Sequence, residues 1–208
     1  MSKYDQQAKA LFLEHFFSDV NIYEKPDIDI LAENRFHRYL NFSFDIQRPK
    51  ECYGSQPEGT HINFGSYRDP EIERIHEKLG IKTLHVETFY TPPNSSLPIH
   101  SDEWPMDGHV KINLTWGPDD GVIRWWEPKN GPLTIGHYYD TIITDRENYD
   151  LVYTANTNKP SLVNIGRLHD TYNPSNEGRW TLCMVPVHPD NSYITWDDAM
   201  IIYKDYLI

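Results

Sequence analysis

Hydrophobic residues follow a helical period at the two ends of the chain and a period of two through its middle. Between residues 5 and 19, Ala8, Leu11, Phe12, His15 and Phe16 recur at helical spacing, which predicts an N-terminal amphipathic helix broken by Lys25-Pro26-Asp27. Residues 36–46 and 60–65 read as short strands on either side of a Pro/Gly-rich loop at 49–59. A second helix opens at Asp69-Pro70-Glu71, where Asp69 is a good N-cap and Pro70 suits the first helical position, and Gly80 ends it. From Ile81 the pattern becomes that of a sheet. Strands are predicted near 82–90, 97–102, 109–116, 121–127, 132–138, 150–155, 161–169 and 179–187. Turn residues separate them at Pro92-Pro93-Asn94, Gly117 to Gly121, Asn130-Gly131-Pro132 and Asn173 to Asn176. A closing helix is expected over about 196–205, with Asp197 and Asp198 in its first turn.

Eight short strands with these turns predict a mainly β domain, a double-sheet jelly roll with flanking α-helices. A chain of 208 residues suits one domain, with a core at about 82–187, support from 1–81 and the closing helix. Composition narrows the function classes. The net charge of −12 is spread along the sequence and disfavours nucleic acid as a partner. No apolar run approaches a membrane span, and Met1-Ser2-Lys3-Tyr4-Asp5 lacks a signal-peptide core, so a cytoplasmic protein is expected. Cys52 and Cys183 are the only cysteines, expected as two free thiols in a reducing compartment, with a single bridge left open.

The chemistry concentrates in four places. Residues i and i+2 of a strand point the same way, so His100 and Asp102 can grip one metal ion from one face. Two imidazoles and one carboxylate on one face suit ferrous iron, which keeps its opposite positions open. His169 can supply the second imidazole from elsewhere in the fold. Ten residues later Arg179 offers a fork for a carboxylate, and Thr181 adds a hydroxyl on the same strand face. Alone, a His-x-Asp triplet is usually a surface pair near a loop. The four-part set is far more specific.

The stretches Leu97-Pro98-Ile99-His100-Ser101-Asp102, Arg167-Leu168-His169 and Gly178-Arg179-Trp180-Thr181 resemble the 2-oxoglutarate- and Fe(II)-dependent oxygenases, over roughly residues 83 to 187. The resemblance implies a double-stranded β-helix with helices outside one sheet, and Fe(II) on His100, Asp102 and His169. It also implies 2-oxoglutarate as cosubstrate, its distal carboxylate on Arg179 and Thr181, and O2 as oxidant, giving succinate and CO2. Asp102 matters here, because related halogenating enzymes carry a small residue at that position. His109, His137 and His188 compete for the third ligand, but His169 alone precedes an arginine by ten residues. An Asn173-to-Gly178 hairpin would set His169 beside Arg179. Tyr90 stands ten residues before His100, where several family branches have a cosubstrate-binding tyrosine about nine residues ahead.

Alternation along Lys111-Ile112-Asn113-Leu114-Thr115 puts Lys111, Asn113 and Thr115 on one face. If that face looks inward, Asn113 can contact cosubstrate or substrate; a solvent-facing polar row is the alternative. Trp104, Arg124, Trp125, Trp126 and Arg167 are candidates for the substrate mouth, together with an irregular loop over 139–149, although core or rim packing is the favoured reading of Trp125 and Trp126. The expected activity is hydroxylation of a small-molecule or peptidyl substrate, prolyl among them, by a monomer or homodimer. Two other readings stand beside it: a cupin-like metal protein that takes no 2-oxoglutarate, and a binding module with a decayed site.

Overall fold

The computed structural model describes residues 35–43, 61–63, 69–102, 109–130, 141–143 and 145–208, all within one unit, Leu31–Ile208. The helix expected over 5–19, the loop at 49–59, the strand at 132–138, Cys52, Trp104 and His137 lie outside these residues.

Among the described residues, the strands form two six-stranded antiparallel sheets. In chain order the strands are β1 (His37–Tyr39), β2 (His61–Asn63), β3 (Lys82–Thr91), β4 (Ser95–Ser96), β5 (Ile99–Ser101) and β6 (Val110–Trp116). They continue with β7 (Val122–Pro128), β8 (Thr141–Ile143), β9 (Tyr149–Ala155), β10 (Ser161–Asn164), β11 (His169–Asn173) and β12 (Arg179–Val187). The first sheet has the order β1-β10-β6-β12-β3-β2, and the second β8-β5-β11-β7-β9, with β4 pairing β11. This is the jelly roll expected from the strand pattern. No helix among the described residues is long and apolar enough to cross a membrane.

Among the described residues, two helices cover the outer face of the first sheet. Helix α1 (Pro70–Lys78) starts where Asp69 accepts hydrogen bonds from Glu71 N at 2.9 Å and Ile72 N at 3.0 Å. It stops at Gly80, whose φ of +71° is left-handed backbone that suits glycine. Helix α2 (Trp196–Ile202) is capped by the Thr195 hydroxyl, which accepts from Asp198 N at 3.2 Å. It is shorter than the predicted span, because a tight 3-10 turn at Lys204–Tyr206 follows it. Ile72 and Ile75 of α1, and Trp196 and Ala199 of α2, pack with Val86, Ile112, Leu182 and Met184 of the sheet. Burying each large aliphatic side chain there is worth about 1.5–3 kcal/mol. Between the helices, His76 bridges Thr83 Oγ1 at 2.9 Å and the Tyr203 hydroxyl at 3.0 Å, all under the sheet.

Four sequence expectations are corrected. The run predicted as one strand over 161–169 is two strands in different sheets, since β10 belongs to the first and β11 to the second. Ile165 N and Gly166 N both reach His109 O, at 3.2 and 3.4 Å, and turn the chain across. The Asn173-to-Gly178 segment is consequently a crossing between sheets rather than a hairpin that pairs His169 with Arg179. Asn173 stitches it by donating from Nδ2 to Pro92 O and Glu177 O, at 2.9 and 2.8 Å. Finally, the stretch taken as an irregular loop over 139–149 contains strand β8 and a 3-10 turn, Arg146–Asn148. The predicted strand at 97–102 is likewise interrupted at Pro98, which has no N–H to pair.

Candidate metal centre

The inward faces of both sheets enclose a cavity of about 350 Å³. Its second-sheet wall carries His100, Asp102 and His169, whose ligand atoms lie within 4.8 Å of one another. His100 sits on β5 and His169 on β11, paired directly across the ladder, so their rings lie 4.5 Å apart. Asp102 follows β5, its backbone tied by a 3.2 Å bond from Asp102 N to Ile165 O. Its Oδ1 lies 3.2 Å from His100 Nε2 and 3.7 Å from His169 Nε2. Donors about 2.1 Å from one ion and at right angles are about 3 Å apart, so the three atoms need only a small closure to share a metal.

The second shell fixes which nitrogens are available. His100 Nδ1 donates to Pro98 O at 2.8 Å, and His169 Nδ1 donates to Arg167 O at 2.9 Å. A carbonyl can only accept, so Nδ1 carries the proton in each ring and Nε2 is left to face Asp102. Burial, then the neighbouring His100, lower the pKa of His169 to about 4, which keeps it neutral at pH 7. Burial opposes ionisation of Asp102, but Lys111 and the two imidazoles together outweigh it and hold the carboxyl well below the usual range. For His100, burial opposes the charge and the contact with Asp102 overrides it, so the pKa rises. A metal ion there would meet a ready carboxylate and the neutral His169 imidazole, and would compete with the proton that Asp102 favours on His100.

The wall from the first sheet is polar because β6 turns its Lys111–Asn113–Thr115 face inward. The alternative of a solvent-facing row does not hold, as all three residues are buried. Asn113 lines the cavity with an Oδ1 that has no hydrogen-bond partner, and Thr171 adds an unpartnered hydroxyl from β11. Thr181 lines it as well, 3.2 Å from the Thr115 hydroxyl. Arg179 stands behind them, fully buried. Its Nη2 donates to Thr115 Oγ1 at 3.2 Å and its Nη1 to Val122 O at 3.0 Å, while Nε has no partner. No carboxylate among the described residues pairs with it, and burial lowers its pKa to about 10. Two glycines make its room: a Cβ at Gly121 would meet Arg179 Cδ at 2.8 Å, and one at Gly117 would meet its Cα at 3.0 Å.

The remaining candidates are placed differently. Tyr90 is on the outward face of β3, packed against Trp180 and flat over Gly178, because alternation gives the cavity Phe89 and Thr91 instead. Arg124 points away from the cavity and forms two bonds to the buried Asp170, at 2.7 and 2.6 Å. Its guanidinium lies 5.5 Å from the Trp126 ring and 4.3 Å from that of Tyr172, a stack that Arg146 extends over Trp126 at 4.3 Å. A bulge between Trp125 and Trp126 sends Trp125 into the intersheet core and leaves Trp126 in that stack. Arg167 offers the centre its carbonyl, and its side chain does not line the cavity. Of the rival histidines, His109 lines the cavity but stacks on Tyr193 at 4.5 Å, outside the ligand cluster.

Sequence spacing missed Glu87, His85, Cys183 and Tyr193, all of which line the cavity. The first two show the same i, i+2 alternation as His100 and Asp102, a signal visible in the strand pattern. Cys183 is a buried free thiol, pushed up to about 12 mainly by burial, so it is neither thiolate ligand nor nucleophile at pH 7.

No family model and no curated protein matches the chain. Among solved structures it is similar to an oxidoreductase of the 2OG-Fe(II) oxygenase family from Burkholderia pseudomallei, at 11% identity and a TM-score of 0.40, over 70% of this chain and 76% of that one. It is similar to the non-heme monooxygenase ThoJ at 18% identity and 0.37, over 60% and 54%. It is also similar to Peruvianin-I, a cysteine peptidase from Thevetia peruviana latex, at 10% identity and 0.35, over 65% and 66%. The chain thus spans about half of ThoJ and just under two thirds of Peruvianin-I. The likeness assigns no role, and function has to be argued from the residues of the cavity.

Proposed function

We propose that this protein is an Fe(II)- and 2-oxoglutarate-dependent oxygenase that hydroxylates a small-molecule or peptidyl substrate. One observation carries the reading. A His-Asp-His cluster lines the cavity on one sheet, and on the other a buried arginine, with no carboxylate partner among the described residues, stands directly behind the cavity wall at Thr115 and Thr181. A buried cation without a counter-charge is unfavourable unless a ligand supplies one, and a dicarboxylate would.

His100, Asp102 and His169 would hold the metal, whose chemistry when bound is activation of O2 with 2-oxoglutarate, giving succinate and CO2. The chain's own residues do the rest. The carbonyls of Pro98 and Arg167 keep both Nε2 atoms aimed inward. Arg179 fixes the distal carboxylate by charge, and the Thr181 hydroxyl adds a bond beside it. Asn113 Oδ1 and Thr171 Oγ1, unpartnered and buried, accept or donate to the polar atoms between these ends. Ile123, Ile165 and Leu97 give the cavity its apolar wall and keep water away from the metal.

A metal-dependent enzyme of the same fold that takes no 2-oxoglutarate is the second reading. What favours it is the position of Arg179 behind the wall formed by Thr181 and Thr115. Titrating the purified protein with Co(II) or Mn(II), with and without 2-oxoglutarate, separates the readings. Metal binding that tightens 2-oxoglutarate binding supports the oxygenase. Metal binding with no response to 2-oxoglutarate supports the second reading, and no metal binding rejects both.

A further inference from the structure

The cavity contains a line of charges that the metal ligands alone do not explain. Lys111 Nζ lies 2.6 Å from Asp102 Oδ2 and 3.5 Å from Glu87 Oε2. Glu87 Oε1 is in turn 3.3 Å from His85 Nε2, on the next inward position of β3. Lys111 is buried, so its charge is not a solvated bystander. The two oxygens of Asp102 consequently have separate tasks. Oδ1 faces both imidazoles, and Oδ2 is held by the ammonium group.

That division bears on coordination number. An aspartate free to rotate can bind a metal through both oxygens and occupy two positions. With Oδ2 engaged by Lys111, only Oδ1 is available and one position is filled. Two histidines and a one-oxygen aspartate leave about three positions of an octahedral ion open. A chelating keto acid and O2 need all of them. We propose that Lys111 is a positioning residue that restricts Asp102 to one-oxygen ligation, and that Glu87 braces Lys111 from the other side. This rests on the reading of His100, Asp102 and His169 as a metal site.

Lysine suits the task for a physical reason. Its compact ammonium group can point separate N–H bonds at two carboxylates that approach from different strands. The Phe89 ring, 5.8 Å from Nζ, closes a further side against water. A purely structural ion pair would predict only a loss of stability when Lys111 is removed. The positioning role predicts a change in the metal's open positions.

The test counts exchangeable water on Mn(II) by water-proton relaxation in the otherwise intact protein. The parent should hold about three waters, Lys111→Met about two, and Lys111→Arg should restore the parent number. The Lys111→Met/Glu87→Gln pair, which removes both charges together, carries the same test if the single variant does not fold. An unchanged water number in whichever variant folds overturns the proposal. Failure of the underlying metal reading has a separate signature: His169→Ala would then bind Mn(II) as tightly as the parent.

Discussion

Replacing Arg179 by methionine should separate stability from cosubstrate binding. The side chain is fully buried and its pKa is lowered from 12.5 to about 10 by burial. That displacement corresponds to about 3 kcal/mol of strain on the charged form in the native state. The group is protonated at pH 7 in both native and unfolded chains, so the strain is constant through neutral pH. It is relieved only between about 10 and 12.5, where the unfolded chain still binds the proton and stability rises with pH. Methionine removes the strain, but it also removes the bonds to Thr115 Oγ1 and Val122 O, each worth about 1–1.5 kcal/mol. The two effects nearly cancel, so the melting temperature should move by no more than about 4 °C. Cosubstrate affinity should respond very differently. Losing a charge-assisted contact with a carboxylate costs about 2–4 kcal/mol, or roughly thirty-fold to a thousand-fold in Kd. Arg179→Lys keeps the charge without the fork and should fall between parent and methionine. Anaerobic calorimetry of 2-oxoglutarate on Co(II)-loaded protein measures the affinity, and scanning calorimetry of the metal-free chain measures the stability. Equal Kd values for parent and Arg179→Met would refute the anchoring role.

Alanine at His100, Asp102 or His169 should each abolish tight Co(II) binding, whereas His137→Ala should retain it; the opposite result for His169 and His137 would reject the ligand set. Gly121→Ala should lower stability by about 1–3 kcal/mol and weaken 2-oxoglutarate binding, because the new Cβ would press on Arg179 Cδ; thermal melts and the same calorimetry check it. Arg124→Ala leaves the buried Asp170 carboxylate with only Arg146, at 3.9 Å, and should cost about 3 kcal/mol in denaturant unfolding, with Co(II) affinity unchanged. Burial lowers the pKa of His76 to about 4, so the unfolded chain takes up its proton first as pH falls. Stability is therefore full above about 6.5 and declines by up to about 3 kcal/mol on the way to pH 4; His76→Gln should flatten that decline in urea melts.

Much of the first sheet and its helices was legible in the sequence. β12 was bounded correctly at 179 and 187, because a strand buried on both faces reads as a continuous apolar run between turn residues. The Asp69-Pro70 start of α1 follows from local chemistry that no tertiary contact overrides. The crossing at Ile165 to Leu168 left no such local signal. Ile165 and Leu168 continue the apolar pattern of β10, and the bonds that turn the chain come from His109, more than fifty positions upstream. Similarly, His100 and Asp102 could be placed together from their spacing alone. Which face Tyr90 takes depends on the register of β3 against β12, and the one-residue difference from the family spacing is enough to turn it outward. The charges around Lys111 are scattered over three strands, and only the folded sheet collects them.

The placement of the ligands on one sheet and of Arg179, Thr181, Lys111 and Asn113 on the other has a mechanical consequence. The width of the reaction space is the gap between two layers, about 10 Å in packed sheets. It is set by the filler between them, above all Trp125, Val163 and Phe36, none of which lines the cavity. Trimming that filler would let the layers approach, shortening the reach from metal to anchor while both halves kept their own geometry. Substitutions there should act as a vernier on ligand length: a smaller Val163 would favour a shorter diacid, with no change in the metal's affinity.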